Sequence, residues 1–253
     1  MTGTLQPTRT RAQRLYLYGL VPSAARPPDD LAGIDGNLVR VIRLGRVAAL
    51  VSDAPSGREP GLPDDVRVHA QVLDTVARAE TVLPMRFGAT TSDESLPDAV
   101  PVEHQARHAD ALRALAGTVQ FTVFARYREE AVLAQLVAED PEIRHLRSIT
   151  RGRSEVSTYH ERLRLGELVV AGLERRRARD EQLVVAAVSA FTQASRAHEV
   201  TRSGDVADLA LLVRREDAVP LEDALEGLAA QVADRMSVRL VGPQAPYDFA
   251  EEV

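Results

Sequence analysis

Val119-Gln-Phe-Thr-Val-Phe-Ala125 is the stretch on which the fold turns. Its apolar residues recur at every second position, the period of a half-buried strand. Gly117 just before it stops the helix upstream. A strong strand starting afresh in mid-chain predicts a second lobe, and the pattern downstream fills one. A short helix follows, with Val132, Leu133, Leu136 and Val137 at core spacing. From Ser154 to His198 there is no proline and only two glycines, Gly166 and Gly172. That stretch predicts one long helix, or two broken near Arg179, with Leu183, Val184, Ala187 and Phe191 on one face of its second half. His198–Arg202 reads as a further strand and Val206–Val213 as another. A helix follows with Leu221, Leu225, Leu228 and Val232 on one stripe. Pro220 stands in its first turn, Glu222 and Asp223 suit the positive end of its dipole, and Arg235 suits the other. Ser237–Val241 closes the series.

The second lobe therefore reads β-α-α-β-β-α-β. That order fits an antiparallel sheet with helices on one face, a ferredoxin-like α+β fold with a long helical insertion. Working outward to the N-terminus, Leu15–Val21 reads as a strand bounded by Pro22. Leu38–Leu44 and Val47–Ser52 are β-rich runs parted only by Gly45 and Arg46, which predicts a tight hairpin. Residues 53–63 are rich in Pro, Gly and charge and read as loop. Asp64–Glu80 carries Val66, His69, Val72, Leu73, Val76 and Ala77 at helical spacing, with Asp64 or Asp65 to cap its start. Thr81–Gly88 reads as a short strand that Pro84 confines to an edge. Pro101–Ala116 reads as a weaker helix, with Ala109, Leu112 and Leu115 on one side. The fold class is thus α+β in two lobes: a disordered tail over residues 1–14, an N-terminal mixed α/β domain over 15–117, and the ferredoxin-like domain over 118–253.

The 253 residues carry a formal charge of −6, and all 31 basic residues are arginine. An acidic chain with 4% aromatic residues and no tryptophan lacks the basic, base-stacking surface of a nucleic-acid binder. The absence of cysteine removes disulfides, thiolate metal sites and cysteine nucleophiles. No apolar run approaches the roughly 18 residues needed to span a bilayer, and Leu15–Val21 is too short and too interrupted for a signal-peptide core. The expected setting is soluble and cytoplasmic.

The search for chemistry returns little. His104 and His108 stand i, i+4 on a helix, the spacing of two zinc ligands, but the residue after His104 is Gln105 where a zincin has glutamate. A solvated helix face is the simpler reading. Gly33-Ile-Asp-Gly36 lacks a third glycine and a following helix, so it is a turn and not a dinucleotide loop. Without lysine there is no Walker motif and no Schiff base, and no Gly-x-Ser-x-Gly elbow occurs. Arg175, Arg176, Arg177 and Arg179 form the densest basic run. Glu161, Glu167, Glu174, Asp180 and Glu181 interleave with that part of the helix, which predicts a solvated surface laced by i, i+3 and i, i+4 pairs. Asp29-Asp30 and Asp64-Asp65 read as loop or capping residues. These absences point to a non-catalytic binding protein with no cofactor and no metal. The rival readings are a small metal-dependent enzyme using His104 and His108, and a nucleic-acid regulator using Arg175–Arg179.

Two segments go beyond periodicity: Thr81-Val-Leu-Pro-Met-Arg-Phe-Gly88 after a helix, and Leu240-Val-Gly-Pro-Gln-Ala-Pro-Tyr-Asp-Phe249 at the end of the chain. Together they resemble the gas vesicle protein GvpF/GvpL family, which typically carries "vlPlrFG" after its first-lobe helix and "tGPWPPYsF" after its last strand. Leu15–Val21 and Val47–Ser52 are similar to early strands of that family, so the resemblance runs from Leu15 to Phe249. Pro84, Arg86, Phe87 and Gly88 match in the first motif. Gly242, Pro243, Pro246, Tyr247 and Phe249 match in the second, where the family's Trp-Pro is replaced by Gln244-Ala245 and the largest apolar anchor is lost.

The resemblance implies an accessory protein of gas vesicle assembly. It would keep the hydrophobic shell protein soluble and bind other accessory proteins, in the cytoplasm and at the vesicle, with no nucleic acid, membrane or small-molecule substrate. The matched residues, with Arg175, Arg176 and Arg177, are the candidate contacts. Their physics stands beside the resemblance. Gly242 can take positive φ to leave the last strand. Pro243 and Pro246 favour an extended chain, and Tyr247 and Phe249, two apart on such a chain, share a side and can pin the tail to the body.

Overall fold

The computed structural model describes residues 14–200, 202 and 204–250. The tail expected over residues 1–14 lies outside the described residues except for Arg14, which opens the first strand. In chain order the elements are β1 (Arg14–Pro22), β2 (Arg40–Arg43), β3 (Val47–Asp53), α1 (Pro63–Ala77), β4 (Leu83–Pro84), β5 (Thr90–Ser92), α2 (Leu96–Ala99) and α3 (Val102–Ala114). These are followed by β6 (Thr118–Tyr127), α4 (Glu129–Glu139), α5 (Pro141–Thr150), α6 (Tyr159–Val188), β7 (Thr192–Ala197), β8 (Asp205–Arg214), α7 (Ala218–Val232) and β9 (Met236–Gln244). The protein is α+β with two sheets. Among the described residues, one compact unit comprises those up to Gln120 together with those from Pro243 onward, and the other is Phe121–Gly242.

In the first unit the sheet order is β2-β3-β1-β4, with β5 also on β1. The β2–β3 hairpin turns at Gly45, whose φ of +105° admits glycine readily. β1 is the central strand, and its bulge falls between Leu17 and Gly19. Gly19 pairs with Pro84, and a Cβ on it would meet the Leu83 carbonyl at 2.7 Å, so this close approach requires glycine. Pro84 does sit on an edge strand, but that strand is two residues long. α1 lays His69, Val72, Leu73, Val76 and Ala77 on the core, whereas Val66 is exposed. Asp65 caps the helix start by accepting the Gly61 and Leu62 N–H groups at 2.9 and 3.0 Å. It also holds Arg58 through both oxygens, at 2.6 and 2.8 Å.

In the second unit the order is β7-β8-β6-β9. Numbered within the lobe this is 2-3-1-4, the ferredoxin-like arrangement. Phe121, Val123 and Ala125 of β6 are buried on one side of the strand, and Val184, Val188, Leu221, Leu225 and Val232 come in from the helices. Of the two readings of the inserted helical segment, the single long helix holds: α6 runs unbroken for 30 residues through Arg179, a length of roughly 45 Å. Two features differ from expectation. α5 is a helix of its own, started by Pro141 and capped by Asp140, whose carboxylate accepts the Glu142 and Ile143 N–H groups. The strand expected at His198–Arg202 lies earlier, at Thr192–Ala197, so Phe191 sits beyond the helix rather than on its face.

Candidate interaction site

The Leu83–Gly88 segment is organised from below by β1. Strand alternation places Tyr16 and Tyr18 on one face, their ring centroids 4.7 Å apart and both fully buried. The Tyr16 hydroxyl accepts the Gly88 N–H at 3.1 Å and lies 2.8 Å from His69 Nδ1. The direction of that second bond follows the His69 tautomer, and Nε2 is buried without a hydrogen-bond partner among the described residues. Burial pushes the His69 imidazole down to about 4, against a smaller upward pull from the Met85 backbone. Burial also pushes the Tyr16 phenol up to about 12. Tyr18 repeats the device: its hydroxyl accepts the Ile34 N–H at 2.9 Å and meets Ser52 Oγ at 3.0 Å. Ser52 spends its proton on the Asp53 carbonyl, so Tyr18 donates to it.

Phe87 closes the cluster, 5.7 Å from the His69 ring and 6.3 Å from Tyr16. Of the first motif, Pro84 is buried and Phe87 half-buried, while Arg86 and Gly88 face outward. Gly88 adopts φ +91°.

The C-terminal segment also packs on the first unit. Gly242 has φ +152°, but β9 continues through Pro243 to Gln244 before ending. Ala245, where the family has proline, is completely buried in the first unit's core. Its N–H donates to Asp74 Oδ1 at 2.8 Å. Burial raises the Asp74 carboxyl, while the Ala245 N–H and Arg78 pull it back. Pro246 does not extend the chain: its carbonyl accepts the Phe249 and Ala250 N–H groups at 3.1 and 2.9 Å, closing a turn. The i, i+2 argument for Tyr247 and Phe249 fails for that reason, because it holds only on a strand. Gln120 grips the turn from both sides, accepting the Asp248 N–H at 3.0 Å and donating to the Asp248 carboxylate. Tyr247 remains 38% exposed as a residue. Its hydroxyl end is the enclosed part, and burial, with Asp74 nearby, raises the phenol.

The arginine run on α6 is less solvated than its charge pattern suggests. Arg176 reaches both Glu139 oxygens at 2.6 Å and Gln135 at 3.2 Å, tying α6 to α4. Arg177 is half-buried, and Arg175 and Arg179 are exposed. Asp180 is buried, not surface: it binds Arg235 through Nη2 at 2.7 Å and accepts the Tyr127 hydroxyl at 2.8 Å. Arg164 likewise crosses to Glu142 of α5 at 3.1 Å, with Glu167 at 3.6 Å. The pairs run between helices more than along one, a geometry that helical spacing does not encode.

On α3 the inward stripe is Gln105, His108 and Leu112. His108 is therefore core, with its imidazole pushed down by burial, His104 and Arg107, while His104 is exposed. No cluster of three or more metal-ligating side chains occurs among the described residues. Sequence reasoning missed Asp74, Gln120 and the Asp180–Arg235 pair as organising groups. Each acts across more than 50 residues of chain, and no local motif marks it.

The model of the family described as gas vesicle synthesis protein GvpL/GvpF matches residues 14–251. The chain belongs to the GvpL/GvpF family. It is similar to gas vesicle protein F of a Streptomyces species, 35% identical over 240 residues that cover 93% of this chain and 99% of that protein. It is also similar to gas vesicle protein L2 of Halobacterium salinarum, 28% identical with 94% and 91% covered. In fold it is similar to the crystal structure of GvpF from Anabaena sp. PCC7120, at 21% identity and a TM-score of 0.81, covering 96% of this chain and all of that one. The matched length takes in both GvpL/GvpF motifs and the arginine run between them. No helix among the described residues is long and apolar enough to cross a membrane.

Proposed function

We propose that this GvpL/GvpF protein is a non-catalytic adaptor of gas vesicle assembly. It binds the hydrophobic shell protein in the cytoplasm, keeps it soluble, and delivers it with the help of other accessory proteins to the growing vesicle. Family membership along nearly the whole chain supports the setting. The observation that carries the mechanism is β7. Thr192–Ala197 is a six-residue edge strand whose one neighbour among the described residues is β8, and five of its residues are exposed. Such an edge presents backbone donors and acceptors to an extended segment of another chain. β4 is too short for that role, so Arg86 and Gly88, with Tyr247, are better placed as side contacts of the first unit. Arg175, the exposed member of the 175–177 run, is available for charge pairing with an accessory protein; Arg176 is committed to Glu139.

The test is co-expression with the gas vesicle shell protein and affinity capture of this chain. Shell protein that co-purifies and stays soluble is the expected result. Shell protein that remains insoluble and unbound, with no accessory protein captured either, overturns the adaptor reading.

A further inference from the structure

The N-terminal half of α6 carries an apolar stripe on its open face. Tyr159, Leu163 and Val170 are 63%, 53% and 56% exposed, and Gly166 stands between the last two. The spacing of four, three and four residues keeps all of them on one side of the helix over three turns. Single exposed apolar residues are ordinary, but a contiguous run of large ones marks an interaction surface. The stripe prolongs a seam that is covered further along. Leu163, Val170, Arg177 and Val184 follow at intervals of seven, and Val184 and Val188 are buried against the rest of the second unit.

Gly166 leaves a shallow depression between Leu163 and Val170, with Glu167 and Glu174 on its rim. Arg162, on the other rim, is already engaged: it bonds Thr158 Oγ1 at 3.0 Å and the carbonyls of Thr150 and Arg153 at 3.2 and 3.3 Å. The nearest cation to Glu167 is Arg164 at 3.6 Å, and Glu174 makes no ion pair among the described residues. Glu167 is thus shared with Arg164, and the rim charge left without an ion pair among the described residues, Glu174, is negative.

We propose that this stripe docks an amphipathic α-helix of a partner protein, one that carries basic residues beside its apolar face. The helical repeat of the stripe and the notch at Gly166 suit a helix laid along α6, apolar seam to apolar seam. The acidic rim selects basic flanks. A second copy of this chain would bring the same acidic rim with its nearest arginine occupied. An anionic lipid surface would repel both the rim and a chain of net charge −6. The proposal rests on reading the protein as an adaptor and names the chemistry of one partner element.

Fluorescence anisotropy with a labelled model peptide tests it. The probe is about 18 residues of Leu and Lys in amphipathic helical order, long enough to cover the stripe, and its Leu/Glu counterpart is the control. The full-length protein binds the Leu/Lys peptide, more weakly as salt rises, and does not bind the Leu/Glu peptide. Leu163→Gln with Val170→Gln weakens binding by about tenfold. Glu167→Gln with Glu174→Gln weakens it by about threefold and flattens the salt dependence. All four positions are exposed, and an unchanged melting temperature certifies the variants. Equal binding of both peptides, or affinity untouched by the Leu163/Val170 change, overturns the proposal. So does a dimer in sedimentation equilibrium that Val170→Gln converts to monomer, which would assign the stripe to a second copy. The probe contains no vesicle protein, so failed capture of shell protein and failed peptide binding are separate results.

Discussion

His69 shows how one buried side chain links the fold to pH. It belongs to the stripe that α1 turns inward, and its Nδ1 is satisfied by Tyr16, which in turn holds Gly88. Only the neutral imidazole fits, which is why burial depresses its folded pKa from 6.5 to about 4. In the unfolded chain His69 titrates near its ordinary value, so between those limits the unfolded state binds more protons. Stability from this residue is complete above about pH 6.5 and is lost as pH falls toward 4, amounting to about 3 kcal/mol at pH 4. Urea unfolding across that window should show wild type losing stability on acidification more steeply than His69→Gln. Parallel curves would mean that His69 is not held neutral. Asp74 works with the opposite sign, because a raised folded pKa favours the protonated carboxyl in the native state. Its partner Ala245 occupies a family proline position, and a proline has no N–H to give. The Asp74–Ala245 bond holds the C-terminal segment to α1.

Elements were legible in the sequence where side-chain pattern alone dictates them. The α7 stripe of Leu221, Leu225, Leu228 and Val232 is buried as its spacing requires, and Gly45 turns the β2–β3 hairpin. β7 was placed wrongly because Thr-Gln-Ala-Ser-Arg-Ala has no apolar alternation; pairing with β8, rather than propensity, makes it a strand. α5 had a local signature in Asp140-Pro141, which a reading by apolar spacing passes over. The polar links between elements were not legible at all, and one of them sets how α6 meets the end of α7. Asp180 is 3% exposed and relies on Arg235 and Tyr127 for its charge. Removing one partner of a buried pair strands the other, at about 3–5 kcal/mol. Arg235→Met should lower stability by that order in chemical denaturation. Asp180→Asn combined with Arg235→Met should recover part of the loss, because no bare carboxylate then remains. A single substitution that costs less than about 1 kcal/mol would mean the carboxylate finds water instead.

For the molecule as a whole, the motifs that signal GvpL/GvpF membership are mostly spent on structure. Pro84 and Pro246 are buried, Phe87 packs on His69, and Gly88 gives its N–H to the Tyr16 hydroxyl. The binding proposed above falls instead to surfaces with no motif, the β7 edge and the open face of α6. Strand capture at β7 can be separated from folding by the geometry of the strand itself. Successive N–H groups point alternately toward β8 and away from it, so of Ser195→Pro and Arg196→Pro, one removes a ladder bond to β8 and the other only an outward donor. The first should lower the melting temperature, by several degrees for a lost buried ladder bond in a chain of this size. The second should leave the melting temperature in place and abolish rescue of the shell protein on co-expression, since proline blocks the new ladder at its middle. If the thermally neutral variant still keeps the shell protein soluble, the edge is not the capture site.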